Sequence, residues 1–269
     1  MRAPKWQLPI SESSLTDMTR DLDEAHREAV PVMRTRAAEF SEELADTGQA
    51  PRLLGRRGLL IGAGGIGVTL ALAACSSGSS STSGTSSTSS ASAGASGSSS
   101  GAYAGDLKVV ALATALENQA VGAYQAALSA ATAGKLGTVP PAVATFVQTA
   151  MSQHQDHAKA WNAVLSGAGV PTITNVPLSN QAATLQALGA VTTVGGVANL
   201  ALELENQAAQ TYLFAAGNVS SAGGIATAAS IAPVEAMHAA ILQFVLGEYP
   251  VPDDFLGTGK AASATLLTV

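Results

Sequence analysis

The sequence has little cysteine, few aromatic side chains and little charge. It contains one cysteine in 269 residues, so no disulfide can form within the chain. Aromatic residues make up 4% and charged residues 12% of the chain. Low aromatic content together with abundant alanine favours closely packed helices over sheets. The net charge of −6 and the lack of a basic patch argue against a nucleic-acid partner.

The few charges are unevenly distributed. Residues 1–57 hold 9 of the 13 Lys and Arg residues, and no arginine follows them. Residues 76–101 are almost entirely Ser, Gly, Thr and Ala, which is typical of a flexible tether that serves as a plain spacer or carries glycans. We predict five parts: a cytoplasmic, partly helical N-terminal region (1–55), an export signal (56–75), a disordered linker (76–105), a folded domain (106–256) and a tail (257–269).

The segment GRRGLLIGAGGIGVTLALAAC has the features of an export signal. Arg56 and Arg57 precede an apolar run over 58–74, which ends in LAAC at Cys75. Paired arginines before such a run resemble a twin-arginine signal, and LAAC resembles a lipobox, in which the cysteine is lipidated and cleavage precedes it. We therefore expect an exported lipoprotein, anchored on the outer face of the cytoplasmic membrane. An uncleaved membrane helix is the alternative, because the run reaches the lower limit of a bilayer span, roughly 17–25 residues.

An amphipathic helical pattern precedes the signal, and Pro31 is expected to interrupt it. Three interpretations are open: a site for a cytoplasmic export factor, a membrane-surface helix, or a translation start placed too early, with Met18 and Met33 as alternatives. The apolar positions of the pattern are Leu15, Met18, Leu22, Ala25, Ala29, Met33, Ala37, Phe40 and Leu44.

Four stretches with helical periodicity follow residue 106. We predict helices over about 107–131, 140–165, 194–216 and 225–246, with a short loop inside each pair. A long connection between the pairs includes QAATLQAL, whose pattern is ambiguous. The predicted fold is all-α, a four-helix bundle with a long crossover between its second and third helices.

Two nearly identical stretches, ALENQAVGAY ending at Tyr124 and ELENQAAQTY ending at Tyr212, each place a glutamate on an apolar helical stripe. An isolated buried carboxylate is destabilising, so Glu117 and Glu205 each require a cationic partner or a proton. The domain has no arginine, and its lysines lie at helix ends or, for Lys159, on another face. A metal ion is the remaining counter-charge.

The other two predicted helices carry further potential ligands. His154 and His157 in SQHQDHAKA, and Glu235 and His238 in PVEAMHAA, are each spaced i, i+3 on an apolar stripe. Aligned by their ends, the two pairs place His157 opposite His238 and His154 opposite Glu235. Every histidine of the domain therefore lies on an apolar helical stripe, as the glutamates do.

This arrangement resembles the ferritin-like di-iron and di-manganese carboxylate proteins, in which two helices give one Glu each and two give Glu-x-x-His. Over about residues 106–256, including EAMHAAILQFVLGEYPVPDDF, it is similar to secreted ferritin-like domains related to rubrerythrins and desiccation-associated proteins. The resemblance implies terminal carboxylates from Glu117 and Glu205, a bridging Glu235, and one imidazole per metal from His157 and His238. Iron, as one or two ions, is the expected metal, with manganese or zinc as alternatives.

His154 departs from the family pattern, which expects a second bridging glutamate at that position. Imidazole does not normally bridge two metals at the short spacing that a carboxylate spans. Four consequences are open: an asymmetric site, one firmly and one weakly held ion, a preference for zinc or manganese, or use of Asp156 or Gln153 after local helix distortion. Around the ligands we expect Asp156, and also Tyr124 and Tyr212 as hydrogen-bond donors or as core aromatics.

Three functions fit these residues. The first is metal-dependent handling of oxygen or peroxide at the envelope, which needs two adjacent metals with an open position. The second is a metal-holding lipoprotein without turnover, and the third is a structural bundle that acts through its surface. The expected partners are metal ions, the membrane through Cys75 and the twin-arginine export machinery. A tethered lipoprotein disfavours a cage and leaves a homodimer open.

Overall fold

The computed structural model describes residues 6–46, 102–252 and 255–269, and the predicted export signal with Arg56, Arg57 and Cys75 lies outside them. Six α-helices and no strand occur in the described residues, which confirms the all-α prediction. The helices are α1 (Glu12–Asp46), α2 (Asp106–Thr132), α3 (Pro141–Gly167), α4 (Gln181–Ala190), α5 (Val194–Asn218) and α6 (Ala222–Leu246), and a 3₁₀ turn follows at Ala264–Leu266.

Two helix hairpins form the bundle, α2 with α3 and α5 with α6. Their ends follow from local sequence. Pro141 begins α3, where the missing N–H of proline leaves no helical bond unmade. The hydroxyls of Thr193 and Ser221 accept hydrogen bonds from backbone N–H groups in the first turns of α5 and α6. Gly247 ends α6 in the left-handed conformation, with φ of 78°. These ends fix the register of the hairpins.

The long crossover between α3 and α5 contains α4, so the ambiguous QAATLQAL is helical. The side chain of Gln119 on α2 donates a 2.9 Å hydrogen bond to Gln181 at the start of α4. The C-terminal segment also contacts the crossover, because the Ser179 N–H donates to the Leu266 carbonyl over 2.9 Å. Both contacts lie at residues 179–181, so they hold the middle of the crossover to α2 and to the C-terminal segment.

The N-terminal helix α1 packs along both α3 and α6 and adds a fifth long helix. It runs through Pro31 without a break, so the predicted interruption is wrong. Pro31 is exposed, and its ring removes one helical hydrogen bond, while packing on both sides of it keeps the two halves in line. The apolar face that the sequence left without a defined partner lies against the bundle. Its buried residues are Leu15, Thr19, Leu22, His26, Met33, Ala37 and Phe40.

Among the described helices, α6 has the length and composition to cross a membrane. More than half of its most apolar window is buried inside the protein. This burial is expected for the central helix of a bundle.

Candidate metal centre

A polar layer crosses the bundle between two clusters of buried apolar side chains. Cluster I includes Met33, Phe40, Leu116, Trp161, Tyr212 and Ile231, and cluster II includes Leu22, Tyr124, Phe146, Ala198 and Leu242. Along α2, α3 and α5, the predicted ligands come between members of one cluster and members of the other. On α6 they follow the switch from one cluster to the other at Ala232 and Val234. The layer is therefore enclosed by apolar packing above and below.

The structure brings all six predicted ligands into this layer, and each is at most 2% exposed. Their potential ligand atoms form two sets, and within each set all atoms lie within 4.8 Å of one another. The two sets share His154 and Glu235, as expected for two neighbouring cation positions. The first set is Glu117, His154, His157 and Glu235, and the second is His154, Glu205, Glu235 and His238.

Glu235 turns one carboxylate oxygen towards each set. Its Oε1 lies 2.9 Å from Nδ1 of His157, and its Oε2 lies 3.1 Å from Nδ1 of His238. The terminal carboxylates stay on their own sides, with Glu205 Oε2 at 3.2 Å from Nδ1 of His238 and Glu117 Oε1 at 3.5 Å from Nδ1 of His157. Glu235 therefore occupies the central position that the sequence resemblance implied for a bridging ligand.

His154 lies between the two terminal carboxylates. Its Nδ1 is 2.7 Å from Oε2 of Glu117, and its Nε2 is 3.1 Å from Oε1 of Glu205. Each ring nitrogen thus faces a different set. A neutral imidazole has one lone pair, so in that form His154 can serve as a ligand to one set only.

Several buried ligand atoms have no hydrogen-bond partner among the described residues: both ring nitrogens of His157 and Oε1 of Glu235. Nδ1 of His157 and Oε1 of Glu235 are 2.9 Å apart, but they are not aligned for a hydrogen bond. Unsatisfied buried polar atoms are costly, and a cation that both groups coordinate removes the cost. Three carboxylates with three imidazoles form a donor set suited to iron, manganese or zinc. The residues present therefore fit a metal pair.

With no cation bound, the histidines themselves supply the counter-charge. Burial acts to lower the pKa of His157, but Glu117 and Glu235 outweigh it and raise that pKa to about 9. The surrounding carboxylates likewise raise the pKa of His154 and His238 against the effect of burial. Burial acts to raise the pKa of Glu117, but the positive charges of His157 and His154 and the hydrogen bond with His154 lower it to about 2. Metal binding at neutral pH must therefore displace protons from the imidazoles.

The two repeated tyrosines hold the terminal carboxylates. The hydroxyl of Tyr124 donates to Oε1 of Glu205, and that of Tyr212 donates to Oε1 of Glu117. Trp161 supports the second pair by donating from Nε1 to the Tyr212 oxygen over 2.9 Å. Hydrogen bonds of this kind orient a ligand and tune its basicity.

Gln153 and Asp156, the two alternatives to His154, lie in different surroundings. Gln153 is buried and accepts a 2.9 Å hydrogen bond from Nε2 of His238, which leaves Nδ1 of His238 towards the carboxylates. Asp156 is not in the polar layer, and its carboxylate pairs at 3.3 Å with both Arg34 and Lys159. Since each helical residue turns by about 100°, a position two residues from His154 points to another face.

His26 of α1 belongs to the polar layer, and the sequence analysis did not assign it. Its side chain is buried, its ring centroid is 5.3 Å from that of His157, and its Nε2 has no partner among the described residues. Burial and the positive charge of His157 lower the pKa of His26 to about 4. The sequence feature that indicates burial of His26 is its place on the apolar stripe between Leu22 and Met33. His26 lies in the region predicted to be cytoplasmic, residues 1–55, whereas the six predicted ligands lie in the predicted exported domain.

Comparison with known proteins agrees with this geometry. A family model of the ferritin-like domain matches residues 105–248, a range that includes all six predicted ligands. Neither the curated proteins nor the solved structures gave a match. The two helix hairpins, the long crossover and the matched range together show that the chain belongs to the ferritin-like domain family.

Proposed function

We propose that the protein is an envelope-anchored ferritin-like protein that binds two transition-metal ions and uses them to reduce oxygen or peroxide. The observation that carries the proposal is the sharing of His154 and Glu235 by two complete ligand sets. A storage site or a structural histidine cluster does not require a carboxylate with one oxygen in each set. Iron is the first candidate metal, followed by manganese and zinc.

Each group of residues in the layer would have its own role. Glu117 with His157, and Glu205 with His238, would hold one ion each, and Glu235 would bind both. Bound iron or manganese would supply the one-electron chemistry that oxygen or peroxide reduction needs. Tyr124 and Tyr212 hold the terminal carboxylates and are the nearest phenolic hydrogen donors. The apolar clusters on either side exclude water from the layer.

An apolar cavity of about 40 Å³ favours dioxygen as the small-molecule substrate. A water molecule needs about two to four polar partners, which this lining does not offer, so the cavity suits a small apolar molecule. Tyr124 forms part of its wall and donates to Glu205, which links the cavity to the ligand layer. Other lining residues are Leu128, Val143, Phe146, Ala198 and Leu242.

His154 favours a second candidate function, metal holding without turnover. A second bridging carboxylate would add negative charge between the ions, and His154 does not add it. Three Glu and three His therefore hold two divalent ions less tightly than four Glu and two His. A protein with this set can retain one ion and leave the second position partly filled.

The sequence supports the location. Arg56, Arg57 and Cys75 resemble a twin-arginine signal with a lipobox, and the twin-arginine route carries folded proteins. A domain loaded with metal in the cytoplasm could therefore be exported intact. The location is tested by mass analysis of the membrane fraction, where a lipid on Cys75 is expected and Cys75→Ala should abolish it.

Metal analysis tests the function. Anaerobic titration with Fe²⁺ should show two bound ions per chain. On exposure to air, the protein should then consume oxygen in proportion to its bound iron. Glu205→Ala should lose most of the binding, whereas Glu203→Ala, on the exposed face of the same helix, should retain it. One tightly held zinc without oxygen uptake would establish the second candidate. Equal metal content in Glu205→Ala and Glu203→Ala would refute the metal centre.

A further inference from the structure

The contact between α1 and the bundle has a consequence for export. Helices that pack together occupy one compartment, and α1 buries its apolar face on α3 and α6. Under the proposed export, residues 12–46 precede the signal and stay on the cytoplasmic side when the bundle crosses the membrane. The packing of α1 on the bundle can then exist only before translocation.

Two glycines of the bundle leave room for the close approach of α1. A Cβ at Gly223 would lie 2.5 Å from the Phe40 nitrogen and 2.9 Å from the Arg36 carbonyl oxygen. Backbone atoms cannot move aside as a flexible side chain can, so this position of α6 requires glycine while α1 is docked. At the end of α3, a Cβ at Gly167 would overlap the Ser41 side chain.

Charged groups at both ends of α1 satisfy the first turns of its two neighbours. The backbone N–H of Ala142 at the start of α3 donates to Glu12 over 3.3 Å, and that of Gly223 at the start of α6 donates to Glu43 over 3.3 Å. A carboxylate near a helix N-terminus is stabilising, because the first N–H groups there have no helical partner. Between the ends, Arg34 pairs with Asp156 at 3.3 Å. These contacts fix α1 along its whole length.

The same docking closes the metal centre on one side. His26 falls between a cluster II residue, Leu22, and a cluster I residue, Met33, so α1 follows the layering of the bundle. Its ring lies against His157, at 5.3 Å between centroids. The matched ferritin-like range is 105–248, so this fifth helix lies outside the matched family domain.

We propose that α1 is a removable cover of the metal centre. In the cytoplasm it docks on the face formed by α3 and α6 and closes the His157 side. During export, water hydrolyses the peptide bond between Ala74 and Cys75 in a reaction catalysed by a membrane peptidase, leaving a carboxylate on Ala74 and an amine on Cys75. The mature bundle loses α1, and the His157 side opens. This inference depends on the export in the proposed function and on cleavage before Cys75, but not on the identity of the metal.

A comparison of the precursor with the mature form tests it. The precursor is kept in the cytoplasm with Arg56→Lys and Arg57→Lys, and the mature form is purified from the membrane. Hydrogen exchange on both metal-free forms should show α3 and α6 amides at the α1 interface exchanging at least about tenfold faster in the mature form. Mass analysis should show that the mature chain begins at Cys75. A mature chain that retains residues 12–46, or equal exchange in the two forms, would overturn the cover.

A pair of glycine variants separates docking from helix propensity. Gly223→Ala should lower the melting temperature of the precursor by at least about 3 °C and should not lower that of the mature form. The matched control is Gly122→Ala in α2, where nothing lies within 4 Å of an added Cβ, so neither form should lose stability. Equal effects of Gly223→Ala on both forms would show that α1 does not dock there. Because these readouts need no metal, they remain informative if the metal-binding proposal fails.

Discussion

Tyr124 donates its phenolic hydrogen to Glu205, although in sequence it belongs to the repeat that contains Glu117. Tyr212 does the reverse and donates to Glu117. Each repeat thus carries a predicted ligand on its own helix and holds the predicted ligand of the other by a hydrogen bond. The exchange couples the two helix hairpins through the ligand layer. A change in one hairpin must therefore affect the ligands held by the other.

Replacing either tyrosine by phenylalanine should weaken metal binding on the opposite side. Burial and the charge of Glu205 raise the pKa of Tyr124 well above its usual value, so it stays a hydrogen donor at any working pH. Loss of such a bond typically lowers metal affinity about 10–100-fold. Competition titrations of Tyr124→Phe and Tyr212→Phe measure it, and Tyr249→Phe, at an exposed position just after α6, is the control. Unchanged affinity in both buried variants would contradict a ligand-orienting role.

The metal-free protein should lose stability as pH rises above neutrality. The pKa of His157 is raised from 6.5 to about 9 in the folded state, so its stabilising charge is fully present below 6.5 and is lost as pH rises through 9. The pKa of His154 and His238 is raised as well, which adds to the same slope. Urea unfolding at pH 6, 7.5 and 9 after chelation measures the loss.

His157→Gln should flatten this alkaline slope, because the variant has no imidazole to titrate. With metal present the trend should reverse, since deprotonated imidazoles bind more tightly as pH rises. A metal-free protein equally stable at pH 6 and pH 9 would show that the carboxylates do not hold protonated histidines.

Changing His154 to glutamate should convert the asymmetric set into the family pattern. Four carboxylates with two imidazoles attract a second divalent ion more strongly, so we expect two ions per chain at lower metal concentration. Without metal the same variant should melt several degrees lower, because a buried carboxylate replaces a cationic imidazole. Metal stoichiometry and the melting temperatures of both states are the measurements. His154→Gln, which can neither bridge nor carry charge, separates the gain of a carboxylate from the loss of an imidazole.

The fold and the clustering of the six predicted ligands were predictable because both depend on local pattern. Helical periodicity fixed α2, α3, α5 and α6 to within a few residues, and i, i+3 spacing placed His154 with His157 on one face. The docking position of α1 was not predictable. An apolar stripe shows that one face of a helix is buried, but it does not show which element covers that face. Asp156 is close in sequence to His154 and His157 but does not lie in the polar layer. Closeness in sequence does not place a side chain on the same helical face.

Filling the apolar cavity should slow the reaction with dioxygen and leave metal binding intact. Ala198 is buried in the cavity wall on α5, and Ala198→Val adds two methyl groups to a space of about 40 Å³. The methyls would occupy the volume next to Tyr124, so oxidation of bound Fe²⁺ by air should fall about tenfold or more. Ala229→Val is the control, because it makes the same change at an exposed position of α6 and carries the same helix-propensity cost. Stopped-flow absorbance gives the rates, and anaerobic titration confirms equal iron content. Equal oxidation rates in the two variants would show that dioxygen reaches the ligand layer by another route.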